Sequence, residues 1–314
     1  MAMKVGLDVS GGDFAPDANV LGAILAQKEL GERAKICLIG NKDQIIPILE
    51  REGLPNDYFE IVHTEEAIEM SEHPTKAFLK KPNSTIGLGF KMLSDGSLQA
   101  FSSTGNSGAM LVGAMYSIRT IPGVIRPSIT SALPVLNGGV SLILDVGINA
   151  DCKPDVLYQF GILGSIMAEH IYNIDNPKVG LLNIGEEDEK GNLLSQAAHE
   201  MMKESKDFNF IGNIEGRDLF SGKADVIVCD GFTGNIVLKQ AEALYTLIKK
   251  RSIEDSYFER FNYEIYGGTP VLGVNGNVII GHGISNQYAV KNMILLSVDT
   301  AEANLADRIR KVFT

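Results

Sequence analysis

KVGLLNIGEEDEKGN, residues 178–192, decides the fold. Val179 to Ile184 is an apolar run of a length that suits a buried, central parallel strand better than a helix. Gly185 breaks it. Four acids follow, Glu186, Glu187, Asp188 and Glu189, and then one cation, Lys190, set against Gly191 and Asn192. Beyond Asn192 the residues Leu193, Leu194, Ala197, Ala198, Met201 and Met202 recur at a helical spacing of three to four. In open α/β sheets ligands gather where strands end and helices begin. A charged run is ordinarily a solvated surface loop; this one is read as a site loop because others like it flank it in sequence.

Working outward, the same strand, glycine turn, helix order recurs. Lys4 to Val9 reads as a strand, followed by Ser10-Gly11-Gly12-Asp13 and a helix from Asp17 to Leu30. Lys35 to Ile39 and Tyr58 to His63 read as strands, with a helix over 43–52 between them. Ile86 to Ser94 reads as a helix and Gln99 to Ser102 as a strand, before Ser102-Ser-Thr-Gly-Asn-Ser-Gly-Ala-Met110 opens a small-residue helix. Ser141 to Asp145 is a strand leading to a loop with Asn149, Asp151 and Lys153. Ala224 to Cys229 is a strand ending in Asp230-Gly-Phe-Thr-Gly-Asn235. Val237, Ala241, Leu244, Tyr245 and Ile248 share one helical face, read as core or subunit contact. Val278 to Ile280 is a last strand, then Gly281-His282-Gly283, and Gln287 to Val312 reads as one long helix. The order predicts a three-layer α/β/α fold with a largely parallel sheet. With neither a repeat nor a linker in view, residues 1–314 read as a single domain.

The chain has 314 residues, 45% of them hydrophobic, and a formal charge of −11, which argues against a general nucleic-acid binder. An acidic partner would need a local basic patch, and Lys76, Lys80 and Lys81 form the clearest one in the N-terminal half. Three cysteines, Cys37, Cys152 and Cys229, without a CxxC suit a reducing compartment and no zinc framework. The N-terminus is not that of a secretory signal, and no apolar run reaches the roughly 20 residues that span a bilayer. A cytoplasmic protein is expected, at most peripheral at the inner face of a membrane.

Backbone N–H groups in a glycine turn before a helix face an anion at the positive end of the helix dipole. Gly105-Asn106-Ser107-Gly108 and Asp230 to Asn235 are two such cradles, and Asp8 with Gly11-Gly12-Asp13 is a third. Asp145 and Asn149 sit on a further loop of this kind, and His282 lies between two glycines at a strand end. There is no GxSxG elbow, HExxH, P-loop or Rossmann glycine pattern, and Cys152 and Cys229 read as packing residues. What remains is backbone amides, amide side chains and a few charges. That suits an inorganic anion acting as the nucleophile, positioned and neutralised without a covalent side-chain intermediate and without metal or cofactor.

Six segments then match one family from end to end: DVSGGDFAP (8–16), STGNSGA (103–109), DVGINADCKPD (145–155), NIGEEDEKGN (183–192), DGFTGNIVLK (230–239) and YGGTPVLGVNG (266–276). The chain resembles the bacterial PlsX phosphate acyltransferases, which are acyl-acyl-carrier-protein:phosphate transacylases. The resemblance implies a fold like that of isocitrate and isopropylmalate dehydrogenases and a homodimer. It implies attack of inorganic phosphate on the thioester of acyl carrier protein, giving acyl phosphate for phospholipid synthesis. By the same resemblance Lys190 neutralises phosphate or the oxyanion and Asn235 hydrogen-bonds one of them. Gly105, Asn106, Ser107 and Gly108 cradle the anion, with Gly11, Gly12, Asp145, Asn149, Asp230 and Gly234 in the substrate loops. Asp8 and Asp13 orient neighbouring groups, and His282 lines the cleft.

The chain departs from the family at Phe14, where a His is usual, and at Asn286, where an acid is usual. It also departs at the lysines after His73-Pro74 and in the segment 237–266, a shortened helical excursion expected at the dimer contact, which leaves membrane association open. A coenzyme A-dependent phosphate acyltransferase, a metal-dependent decarboxylating dehydrogenase using Asp145, Asp151 and Asp230, and a non-catalytic carrier-protein or membrane scaffold stay open as alternatives.

Overall fold

A computed structural model describes residues 3–314. Along the chain run β1 (Met3–Asp8), α1 (Asp17–Leu30), β2 (Ala34–Gly40), α2 (Lys42–Arg51), β3 (Glu60–His63), α3 (Pro74–Lys80), α4 (Thr85–Ser94), β4 (Ala100–Ser103) and α5 (Ser107–Gly113). Then come β5 (Ser128–Pro134), β6 (Val140–Leu144), α6 (Pro154–Ile171), β7 (Lys178–Leu182), α7 (Leu193–Lys203), β8 (Asn209–Ile214), β9 (Val226–Val228), α8 (Gly231–Lys250) and α9 (Ser256–Glu259). The chain closes with β10 (Thr269–Leu272), β11 (Asn277–Ile280), α10 (Gln287–Glu302) and α11 (Leu305–Phe313). Two compact units result, one holding residues up to 120 with 263–306, the other 121–262 with 307–314. Neither is a continuous stretch, so no linker marks a boundary in the sequence.

In the first unit the strands run in the order β3-β2-β1-β4-β11-β10, all parallel except β10 against β11. The order in the second is β5-β6-β9-β7-β8, parallel except β5 against β6. β7, the strand that opens the charged loop, is internal, as its apolar run predicts. Three strands escape the sequence reading: β5, β8 and β10. Pro134 and Pro270 lie inside two of them, where the missing N–H argues against a strand. Polar Asn209 and Asn213 with Gly212 obscure the alternation of the third. The long C-terminal helix is corrected too, because it breaks between α10 and α11 at Asn304, whose φ of 52° is a left-handed conformation that asparagine tolerates.

The core of the first unit joins α1 and α10 to β1 and β2 through residues such as Leu7, Val20, Ile24, Leu38, Val290 and Met293, all buried. On its other side Phe78, Phe90 and Phe101 meet edge to face, with ring centroids 6.1 and 5.3 Å apart. These contacts seat α3 and α4 over β4, immediately before the Gly105 turn. The second unit packs Leu133, Ile143, Ile214, Leu219 and Ile227 into its own cluster. On α8, Ala241 and Ile248 are buried with Val237 and Tyr245 partly so. Leu244, which the spacing places on the same face, is exposed, as are Phe232, Ile236 and Leu247. Among the described residues no helix is long and apolar enough to cross a membrane.

Phe90 is fully buried between two rings. Phe90→Ala is therefore expected to lower unfolding free energy by about 3–5 kcal/mol, read from urea denaturation; a loss under about 1 kcal/mol would mean that the aromatic stack does not hold α4 on β4.

Candidate functional site

Residues singled out in the sequence fall into two groups, one in each unit. In the first, the loops after β1, β4 and β11 converge. Asn19 of α1 donates to the carbonyls of Asp8, Val9 and Gly11 at 3.3, 3.1 and 2.8 Å. Thr104 Oγ1 donates to the Gly11 carbonyl at 2.8 Å, and Asp13 N–H donates to the Gly283 carbonyl at 2.7 Å. A Cβ on Gly11 would lie 2.5 Å from the Gly105 nitrogen and 2.7 Å from Asp8 Oδ2, so the two turns touch backbone to backbone. His282, on the third loop, stacks edge-on against Tyr263 at 5.1 Å.

Two members of this group are engaged internally. Asp8 is fully buried and accepts from Ser10 N–H at 2.9 Å and Ser103 Oγ at 2.7 Å. Asn106 caps α5 by accepting from Ala109 N–H at 3.0 Å, while its amide donates to the carbonyls of Glu69, Met70 and Glu72. Both therefore shape the turn through their own hydrogen bonds, and Asp13 and Ser107 are the exposed polar side chains beside it.

In the second unit Asp145 is the centre. Oδ1 accepts from Ser128 Oγ and Ile129 N–H, and Oδ2 from the N–H groups of Ile148 and Asn149 and from Asn149 Nδ2, at 2.6–3.3 Å. Gly231 N–H donates to the Asn149 carbonyl at 2.7 Å. Asp230 caps α8, accepting from Thr233 N–H and Oγ1 at 2.8 and 2.9 Å. A Cβ on Gly234 would fall 1.9 Å from the Asp145 carbonyl oxygen, so only glycine lets the first turn of α8 lie there. Asp145, Asn149 and Asp230 thus hold the loops in place, with their carboxylates and amide occupied.

Lys190 and Asn235 differ. Both are exposed, and among the described residues neither side chain has a hydrogen-bond or ion-pair partner. Two of the four acids before Lys190 are paired to other cations: Glu186 with Lys223 at 2.5 Å, and Asp188 with Lys203 at 2.5 Å, with His199 3.2 Å away. The Lys190 carbonyl is held by Asn183 Nδ2 at 3.0 Å and that of Glu189 by Gln196 at 2.7 Å. An open pocket of about 300 Å³ runs between this loop and the start of α8, lined by Leu157, Leu182, Asn183, Asn192, Asp230 and Thr233 among others.

Cys229 is buried, and burial pushes its thiol well above the usual range, with Asp230 and Asp145 adding to the effect. Cys152 is pushed up to about 11, again chiefly by burial. Both thiols are protonated at neutral pH and poorly suited to nucleophilic attack. As for cations, Asp145 and Asp230 are occupied as above. The carboxylates close enough to share an ion are Glu186, Glu215 and Asp218, and Lys223 already bonds the first and third. Asn19, Asn183, His199 and Asn213 escape the sequence reading; the available signal is a polar residue on the buried side of an apolar pattern.

The architecture is α/β, with glycine turns at strand ends in each unit and, on the loop after β7, a lysine that has no ion-pair partner among the described residues. Residues 3–256 match the family described as "Fatty acid synthesis protein". The chain is 42% identical to the phosphate acyltransferase of Endomicrobium trichonymphae, covering 98% of this chain and 97% of that one. With the phosphate acyltransferase of Dictyoglomus turgidum it shares 41%, over 93% and 92%. It belongs to the phosphate acyltransferase family. The fold is similar to that of a phosphotransacetylase from Streptococcus pyogenes, with a TM-score of 0.70 at 16% identity over 96% and 94% of the two chains. A branched-chain phosphotransacylase from Enterococcus faecalis superposes with a TM-score of 0.63 at 13% identity, over 95% and 99%.

Burial raises the Asp8 carboxyl above the usual range, against the opposing hydrogen bonds from Ser103, Thr85, Ser10 and Gly11. The folded chain holds this proton after the unfolded chain has released it, so the stability it contributes at low pH is lost as pH rises through the folded value. Asp8→Asn should flatten the change in urea midpoint between about pH 4 and pH 7; an unchanged profile would show that Asp8 is ionised in the fold at little penalty.

Proposed function

We propose that the chain transfers a fatty acyl group from the thioester of acyl carrier protein to inorganic phosphate. Phosphate oxygen attacks the thioester carbonyl, the carbon–sulfur bond breaks, and the carrier leaves as its thiol while acyl phosphate forms. The observation that carries this reading is Lys190, a cation with no ion-pair partner among the described residues on a loop where Glu186 and Asp188 are paired to other cations, in a chain similar over nearly its whole length to phosphate acyltransferases. Its ammonium offsets the charge of phosphate as the oxyanion develops. Asn235, exposed at the start of α8, donates to a phosphate or thioester oxygen. Two thiols raised by burial favour phosphate itself as the nucleophile over an acylated cysteine.

The direct assay is phosphate-dependent release of free thiol from palmitoyl-acyl carrier protein, with palmitoyl-coenzyme A and EDTA as parallel arms. Turnover that needs phosphate, prefers the carrier protein and ignores EDTA is expected. Preference for coenzyme A would transfer the proposal to the nucleotide donor, and no release from either would sink it. Lys190→Ala should raise KM for phosphate or lower kcat by about 100-fold; near-normal values of both would remove Lys190 from the site.

For the carrier protein, α3 offers Lys76 and Lys80, exposed with no acid paired to either among the described residues. Lys81 is less available, since it bonds Glu72 at 2.6 Å and the Ala67 carbonyl at 2.8 Å. Lys76→Glu with Lys80→Glu should raise KM for acyl carrier protein about threefold or more while phosphate KM stays put. An unmoved donor KM would exclude α3 as the docking surface.

A further inference from the structure

The loop that carries Lys190 is tied to a buried histidine that the reaction itself does not use. His199 of α7 is 2% exposed and Asn213 of β8 is 3% exposed. Between them they hold two successive residues of the loop, Glu187 by its carbonyl and Asp188 by its carboxylate. Asn213 reaches this position because β8 bulges. Val179 of β7 pairs with Phe210, but Leu181 pairs with Asn213, so three steps on β8 match two on β7. Gly212, at φ 94° and with open space where a Cβ would lie, supplies the left-handed residue that the bulge needs. A bulge of this kind re-aims the next side chain, here toward the loop.

Hydrogen-bond polarity then fixes where the protons lie. A backbone carbonyl only accepts, so the Asn213 atom 2.8 Å from the Glu187 oxygen is the amide nitrogen. Asn213 Oδ1 therefore faces His199 Nδ1 at 3.0 Å, and that nitrogen must donate. The other ring nitrogen, Nε2, lies 3.2 Å from Asp188 Oδ1. Asp188 is a carboxylate, since its second oxygen accepts from the Lys203 ammonium, and it too can only accept. Both ring nitrogens must carry hydrogen for the arrangement to hold. The groups facing the ring are Asp188 from the loop, Asn213 and Phe210 from β8, and Lys203 one turn along α7, itself beside Glu200 and Glu204.

We propose that His199 is a positioning residue, a proton-dependent clamp that holds the 186–190 loop in the shape that presents Lys190 to phosphate. The proposal rests on the phosphate-binding role of Lys190 given above. When Nε2 loses its proton, its lone pair meets the Asp188 carboxylate, the contact turns repulsive, and the loop loses one of its ties to α7. Phosphate binding should then weaken as pH rises, whereas the acyl donor's KM should not follow.

The test compares phosphate KM from about pH 6 to about pH 9 in the wild type, Asp188→Asn and His199→Phe. An asparagine at position 188 can accept from a protonated ring or donate to a neutral one, and it shares the ionisation of phosphate itself with the wild type. The wild-type KM is expected to rise about tenfold relative to Asp188→Asn across the range, the loss of one charge-assisted hydrogen bond. His199→Phe should show the raised phosphate KM at every pH, with donor KM unchanged. Parallel profiles in wild type and Asp188→Asn would overturn the proposal. Should His199→Phe fail to fold, ¹⁵N NMR of the ring decides with the surface variant alone: two N–H signals at the low end of the range support the clamp, and a single protonated nitrogen there refutes it. If Lys190→Ala leaves phosphate KM unchanged, the phosphate reading of Lys190 fails, while the ring protonation still reports on the clamp by itself.

Discussion

The Asp145 carboxylate lies at zero exposure and accepts five hydrogen bonds, and the site face of the second unit depends on it. A buried polar group is costly unless hydrogen-bond partners replace its hydration. The donors here come from β5 and from the loop after β6, so one acid fixes both. Asn149 passes the constraint to Gly231, and the absence of a side chain at Gly234 lets α8 start against the Asp145 carbonyl. Asp230, Thr233 and Asn235 occupy their places at the start of α8 because of that contact.

Electrostatics then separates scaffold from chemistry. A chain of net charge −11 is a poor attractor for phosphate, and the loop before Lys190 is the most acidic stretch in it. Two of its acids, Glu186 and Asp188, are nevertheless taken up by Lys223 and by Lys203 with His199. The result is a local cation in an acidic protein, held through the carbonyl of its own residue by Asn183.

Much of this is legible in the residues alone. The apolar run of β7 and the glycine turns after β1, β4 and β9 mark the parallel strands and the loops that follow them. What sequence does not separate is binding from holding. Asn106 and Asp230 look like ligands for an anion, yet each is the N-cap of the helix it precedes, a role the same residue types perform. Asp8 and Asp145 likewise look like substrate ligands, although burial turns both inward. His199 and Asn213 leave no mark in the local pattern because their importance arises from a bulge, which is set by pairing between strands. On α8 the apolar spacing does not say which residues meet the core: Ala241 and Ile248 are buried, while Leu244 on the same face is exposed.

The central claim is that phosphate attacks the thioester directly, with no acyl group resting on a side chain. Exchange between unlabelled palmitoyl-acyl carrier protein and isotopically labelled free carrier protein tests it most directly. Without phosphate, no label should enter the acylated pool, and exchange should begin only when phosphate is added and acyl phosphate can form and revert. Label entering the acylated pool before phosphate is present would contradict the account and place the acyl group on the enzyme, with Cys152 the first residue to examine.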